Sequence, residues 1–258
     1  MDKTVTINAE GSLGVLNPKR AATELRIAAV TPFTTIDYPG ILSAVAFIQG
    51  CPWRCPYCQN AWMQSRDPAP GTASVAWSDF FTLLKKRKGL LDGVVFSGGE
   101  PCLDPALPAA VHEVKSLGMK VGLHTSGAYP THLKEVISEL DWIGLDVKGP
   151  PQKPEVFNRA AGRSKAVEAF SESFEIVRAS GVSYEARTTA HPDLLTAEDI
   201  LDIAKWLSER GCTTYALQIY RTPPGTRGPL SAVGSDYPGE EVEKRLATLF
   251  PKFLLRRN

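Results

Sequence analysis

Six short apolar runs, each followed by a segment of helical periodicity, constrain this chain more than any other feature. The runs are residues 42–48, 93–96, 120–123, 142–147, 183–189 and 214–220. Several are continuous rather than alternating, which predicts strands covered on both faces, as in a parallel sheet. The helical patterns between them carry their own boundaries. Residues 77–88 open at a Ser78 cap, 108–117 stop at Gly118, 131–140 follow, and 165–180 end at Gly181. Thr196-Ala-Glu-Asp199 makes a capping-box-like start for a helix that runs to Arg210 and stops at Gly211. Strand-then-helix alternation predicts an α/β fold with right-handed crossovers. Six strands are too few for a closed eight-stranded barrel, so the expected architecture is an open partial barrel.

Residues 1–24 carry little periodicity and read as an N-terminal arm or edge element. Proline clusters at 150–154 and 223–229 read as surface loops rather than linkers, which leaves a single domain. An apolar content of 43% supports a continuous core. Lys+Arg 29 against Asp+Glu 28 argues against a nucleic-acid partner. The one basic run, residues 85–88, closes a predicted helix, where cations complement the C-terminal carbonyls. No apolar run has the length of a membrane span, and no signal-peptide pattern opens the chain. Five cysteines, an odd and clustered set, do not look like a secreted disulfide framework, so the expected location is cytoplasmic.

In parallel α/β folds ligands gather at the loops after the strands' C-terminal ends. The chemistry-bearing residues fall there repeatedly. Cys51-Pro-Trp-Arg-Cys55-Pro-Tyr-Cys58 follows the first run, Ser97-Gly98-Gly99-Glu100-Pro101 the second, and His124-Thr125-Ser126-Gly127 the third. Asp146 and Lys148 end the fourth, Arg187 lies in the fifth and Gln218 in the sixth. Buried polar residues in apolar strands need partners, so their shared rim marks a site.

Three clustered thiols can serve two kinds of centre. A tetrahedral zinc site would need a fourth ligand, which Cys102, Cys212, His112, His124, His132 or His191 could supply. A cubane iron–sulfur cluster would leave one iron open. Gly98-Gly99 can simply build a tight turn, or can let a ligand approach the backbone with Glu100 as an acceptor for an ammonium group.

The pair Cys-x3-Cys-x2-Cys and Gly-Gly-Glu-Pro resembles the radical S-adenosylmethionine (radical SAM) superfamily. Asp37-Tyr38-Pro39-Gly40, residues 89–95 and Arg187-Thr188-Thr189-Ala190-His191 further resemble the glycyl-radical-enzyme activases, above all the anaerobic ribonucleoside-triphosphate reductase-activating group. The likeness covers residues 25–225, with 226–258 as a C-terminal loop and helix of the same domain. It implies a partial (β/α)6 barrel, a [4Fe–4S] cluster and S-adenosylmethionine. Cys51, Cys55 and Cys58 would hold three irons, with the methionine amine and carboxylate of the cofactor on the fourth. Tyr57 would pack near the adenine, and Gly98, Gly99 and Glu100 would hold the methionine amine. Thr125, Ser126 and Gly127 match a segment lining that pocket; Asp146 and Lys148 match an Asp-x-Lys segment of the activases; Arg187 would pair with the carboxylate. Two positions depart from the group's pattern: His124, where some activases have an acidic residue, and Gln59, where histidine is common.

The resemblance further implies reductive cleavage of S-adenosylmethionine and abstraction of a hydrogen atom from a glycine of a partner glycyl radical enzyme, most closely anaerobic ribonucleotide reductase. The electron would come from a flavodoxin or ferredoxin type donor. Two other functions fit the sequence: a radical SAM enzyme acting on a small molecule or another peptide, and a zinc-stabilised binding module.

Overall fold

The structure, a computed structural model, describes residues 6–7, 13–14, 20–68, 70–222 and 230–257. Much of the expected N-terminal arm and the second proline cluster, 223–229, lie outside the described residues. Strands β1 (Thr6–Ile7) and β2 (Leu13–Gly14) form a small antiparallel pair. The remaining strands form one sheet. They are β3 (Ile27–Thr34), β4 (Ser43–Ile48), β5 (Gly93–Gly98), β6 (Lys120–Thr125), β7 (Trp142–Asp146), β8 (Ser183–Ala190), β9 (Thr214–Ile219) and β10 (Lys252–Arg256). Their order follows the chain, and β3 and β10 do not pair, so the sheet stays open.

Strands β4 to β9 are the six predicted runs, all parallel. Two strands were not anticipated. β3 pairs antiparallel with β4, and β10 pairs parallel with β9 beyond the expected C-terminal helix. Both are edge strands, where a weak alternating pattern suffices because one ladder side is unpaired.

The helices are α1 (Trp77–Lys86), α2 (Leu107–Ser116), α3 (Pro130–Val136), α4 (Pro154–Ala161), α5 (Ala166–Ser180), α6 (Ala197–Ser208) and α7 (Glu240–Leu249). The α6 capping box forms as its sequence demands: the Thr196 hydroxyl accepts from Asp199 N while the Asp199 carboxylate accepts from Thr196 N. Burying its stripe of Ile200, Ile203 and Leu207 contributes roughly 2 kcal/mol per side chain. Ser78 does not cap α1. Trp77 is already helical, because its ring stacks on Phe96 and its Nε1 donates to Glu113, which moves the cap to Ala76. The 150–154 cluster is not simply a surface loop either: Pro150 is buried and Pro154 occupies the first turn of α4, where its missing N–H costs nothing.

Side-chain alternation splits the strands between two cores. Ala44, Ala46, Ile48, Val94 and Phe96 face the helices in the large core. Val45 and Val95, register partners on the other face, meet Tyr38 and Trp142 in a small cluster, with the two rings stacked at 5.2 Å. Tyr38 arrives on the β3–β4 connection, so that loop closes the strand-start end of the inner face. Farther along the same face the parity runs through Phe47, Ser97, His124, Asp146, Arg187, Thr189, Gln218 and Arg256. All of these line one cavity of about 450 Å3.

Candidate active site

The cysteine loop leaves β4 through Gly50, whose φ of +102° and crowding against Leu103 exclude a side chain. Gly50 N and Cys51 N donate to Met63 O and Gln64 O, so the loop folds back on the short helical turn Ala61–Met63. Trp53 and Tyr57 are buried anchors, Trp53 edge-on to Phe157. From outside, Arg54 N donates to Ala161 O at the end of α4. Cys51, Cys55 and Cys58 are all free, half-buried and on the cavity wall. Gly98, Gly99, Thr125, Ser126, Tyr57, Asp146, Lys148 and Arg187 share that wall, so most of the expected site is brought together.

Two expected residues stand behind the wall. Glu100 is fully buried and does not line the cavity. Its Oε1 accepts from Cys102 N and Thr125 Oγ1, and its Oε2 from Ser126 N and Ser126 Oγ. Four donors saturate the carboxylate, so its side chain is not presented as an acceptor for a ligand's ammonium group. It orients the Thr125–Ser126 segment instead. Gly127 is the second: its φ of +76° turns the chain, its carbonyl accepts from Ser173 Oγ, and a Cβ there would lie 3.0 Å from Ser173.

Gly98 and Gly99 also have a structural cause. A Cβ on Gly98 would sit 2.4 Å from Ile48 N, and one on Gly99 2.1 Å from Gly50 O. The absent side chains let the end of β5 nest against the end of β4, with Gly99 N donating to Ile48 O and Glu100 N to Gly50 O. That contact holds the cysteine loop against the Gly-Gly turn.

The floor of the cavity is charged. Lys148 Nζ lies 2.9 Å from Asp146 Oδ2 and 5.3 Å from the Tyr57 ring centroid. Burial would push the Asp146 carboxyl up, but Lys148 and then Arg187 outweigh it and hold the carboxyl below its ordinary range. Burial opposes the Lys148 ammonium, and Asp146 more than restores it. Both stay charged. Burial and then Glu100 push the Cys51 thiol up to about 12, and burial raises Cys55 despite Lys148. Deprotonating Cys51 and Cys55 in this wall therefore calls for a cationic centre.

His124 is held neutral, first by burial and then by the Arg187 charge, with its pKa lowered to about 3. Its Nε2 lies 2.8 Å from Asp37 O, which can only accept, and 3.1 Å from the Arg187 guanidinium, which can only donate, while Nδ1 lies 3.1 Å from Ser97 Oγ, so one nitrogen faces both an acceptor and a donor. Arg187 reaches His124 across β7 because Gly144 leaves the space; a Cβ there would be 2.8 Å from the guanidinium carbon. Arg187 also lies over the Trp142 ring and donates its Nε to Glu185.

Glu185 and Arg256 went unrecognised in the sequence. Glu185 is buried beneath the cavity and binds Arg187 through Oε1 and Arg256 through both oxygens. Parity could have found Glu185, two residues before Arg187 in β8. Arg256 was hidden with its strand.

Cluster and nucleotide fit this wall by the chemistry of its donors. Among the described residues no three His, Cys, Asp or Glu side chains are gathered to hold a single ion. A cubane asks each thiol to bind its own iron instead. A buried hydroxyl on the same wall, that of Tyr220, has no hydrogen-bond partner among the described residues, which suits a ligand with polar atoms. The volume falls in the range of roughly 300–1,000 Å3 typical of cofactor sites.

Comparison with known proteins gives this site its family. Residues 45–207 match the family model of the radical SAM superfamily. A protein of Methanocaldococcus jannaschii named as a glycyl-radical enzyme activating enzyme is 30% identical over 196 residues, covering 74% of this chain and 78% of that one. The pyruvate formate-lyase-activating enzyme of Clostridium pasteurianum is 31% identical over 134 residues, 48% of this chain and about half, 52%, of that one. Among solved structures, Streptococcus suis SuiB bound to S-adenosylmethionine superposes with a TM-score of 0.63 at 12% identity, over 81% of this chain and 48% of its own. QueE from Escherichia coli gives 0.55 at 14% identity, over 91% and 94%. These two likenesses speak for the fold alone. The chain belongs to the radical SAM superfamily, whose enzymes work with a [4Fe–4S] cluster and S-adenosylmethionine, and it is an enzyme of that class.

Proposed function

We propose that this enzyme is a glycyl-radical-enzyme activase whose partner is anaerobic ribonucleotide reductase. The carrying observation is that the relative sharing three quarters of the chain bears the activase name, and that two of the three segments resembling the reductase activators, 37–40 and 187–191, reach the cavity through Asp37 and Arg187.

In this reading Cys51, Cys55 and Cys58 hold the cluster and leave one iron for the amine and carboxylate of S-adenosylmethionine. Gly98, Gly99, Thr125 and Ser126 offer backbone and hydroxyl groups beside it, and Tyr57 offers its ring. Glu100 and Gly127 position these groups without touching the ligand. Arg187 is the cation for a carboxylate, and the Asp146–Lys148 pair fixes charge opposite the cysteine loop. Bound together, cluster and nucleotide supply a one-electron cleavage and a hydrogen-abstracting radical. The chain's part is to bind, orient and exclude water. A partner loop bearing the target glycine would enter from the open strand-end side.

Mixing the reconstituted, reduced protein and S-adenosylmethionine with anaerobic ribonucleotide reductase should produce a glycyl radical doublet by electron paramagnetic resonance. A doublet on pyruvate formate-lyase and none on the reductase would keep the activase and reject this partner.

A further inference from the structure

We propose that the outer face of the cysteine loop, where the 162–165 turn packs on Arg54, is the docking surface for an acidic one-electron carrier protein of the flavodoxin or ferredoxin type. The inference rests on the activase reading only in requiring that an electron reach the cysteine-held centre.

Charge is distributed unevenly around that loop. The whole chain is balanced at 29 cations and 28 anions. Residues 51–66 and 159–167 nevertheless hold Arg54, Arg66, Arg159, Arg163 and Lys165 with no Asp or Glu among them. Arg66 is neutralised by Asp104, and Arg159 is tied to Leu194 O. Arg54, Arg163 and Lys165 are exposed and have no acidic partner among the described residues. Trp62, farther along the same loop, is 50% exposed. Exposed cations without acidic partners suit a protein with an acidic surface.

The two segments form one surface. Arg54 N donates to Ala161 O at 3.0 Å, and a Cβ on Gly162 would lie 2.0 Å from Arg54 O. No side chain can be inserted between turn and loop. Cys55 Sγ lies 3.7 Å from Ala161 O, the residue immediately before the exposed turn 162–165. Cys51, Cys55 and Cys58 line the cavity, whereas Arg54 and residues 162–165 do not. A carrier seated on the turn therefore reaches the centre by a short path without entering the cavity.

In the step served here, one electron leaves a flavin hydroquinone, giving the semiquinone, or a reduced ferredoxin cluster, and enters the oxidised [4Fe–4S] centre. The test uses cluster-loaded protein, a bacterial flavodoxin and a bacterial ferredoxin. Binding is read by calorimetry and reduction by stopped-flow absorbance. Arg163→Glu should weaken binding and slow carrier-driven reduction by about tenfold at low ionic strength, a difference that high salt removes. Lys165→Gln should act in the same direction and less. Arg245→Glu, the same charge change on α7, should do neither, and reduction by dithionite should be unchanged in every variant. Equal losses in Arg163→Glu and Arg245→Glu would overturn the proposal. So would unchanged binding of both carriers, or tighter Arg163-dependent binding of a single-stranded RNA oligomer. If wild-type protein reduced by dithionite released no 5′-deoxyadenosine, the activase reading would fail, and the docking result would stand separately.

Discussion

Glu100 stands at the centre of the site without touching its cavity. Its two oxygens satisfy four donors from Cys102, Thr125 and Ser126. Glu100→Gln turns one acceptor into a donor and leaves at least two of those groups facing an N–H. We expect a loss of roughly 2–4 kcal/mol in stability, read as a lower Tm, with weaker S-adenosylmethionine binding. His124 gives a pH signature. Its pKa falls from 6.5 to about 3 on folding, so the unfolded chain binds its proton more readily. Its contribution is full above pH 6.5 and is lost as pH falls toward the folded value. Between pH 7 and 5 that single group removes roughly 2 kcal/mol. His124→Gln should show a correspondingly shallower fall of Tm with acid. The sequence exposed the motif around Glu100 but not where its carboxylate points. That direction depends on Thr125 and Ser126, which the fold brings from a different strand.

Elements differ in how plainly the sequence declares them. The six central strands and α6 are legible because burial on both faces, or a complete cap, leaves few alternatives. Thr196→Ala should cost about 1 kcal/mol by removing the hydroxyl that accepts Asp199 N. Burial would raise the Asp199 carboxyl, but Lys153 and Thr196 outweigh it and lower its pKa. That stabilisation is present above the ordinary carboxylate range and is lost as pH falls through the folded value. Asp199→Asn should therefore flatten the acid limb of a Tm profile. The edge strands were less legible. β3 contains Pro32 and exposed residues, tolerable where one ladder side is free, and β10 is only the five residues Lys252–Arg256 after Pro251. α4 was obscured because a proline serves equally as loop residue and first helical residue.

At the scale of the whole molecule, β10 joins the last edge of the sheet to the inner face. Arg256 forks Glu185, which also holds Arg187, so the end of the chain helps fix the guanidinium nearest His124. Arg256→Leu should cost about 2 kcal/mol, since a buried carboxylate keeps only one of its two cations, and should raise the Kd for S-adenosylmethionine. Calorimetry and thermal melts would check both. The proposed account puts the cluster and nucleotide at this wall of cysteines. The most direct test of that account is anaerobic reconstitution with iron and sulfide, reduction, addition of S-adenosylmethionine, and measurement of 5′-deoxyadenosine. The wild-type chain should release it together with methionine, and Cys55→Ala should retain no cluster and release none. An intact, reduced cluster that binds S-adenosylmethionine and yields no 5′-deoxyadenosine would contradict the account.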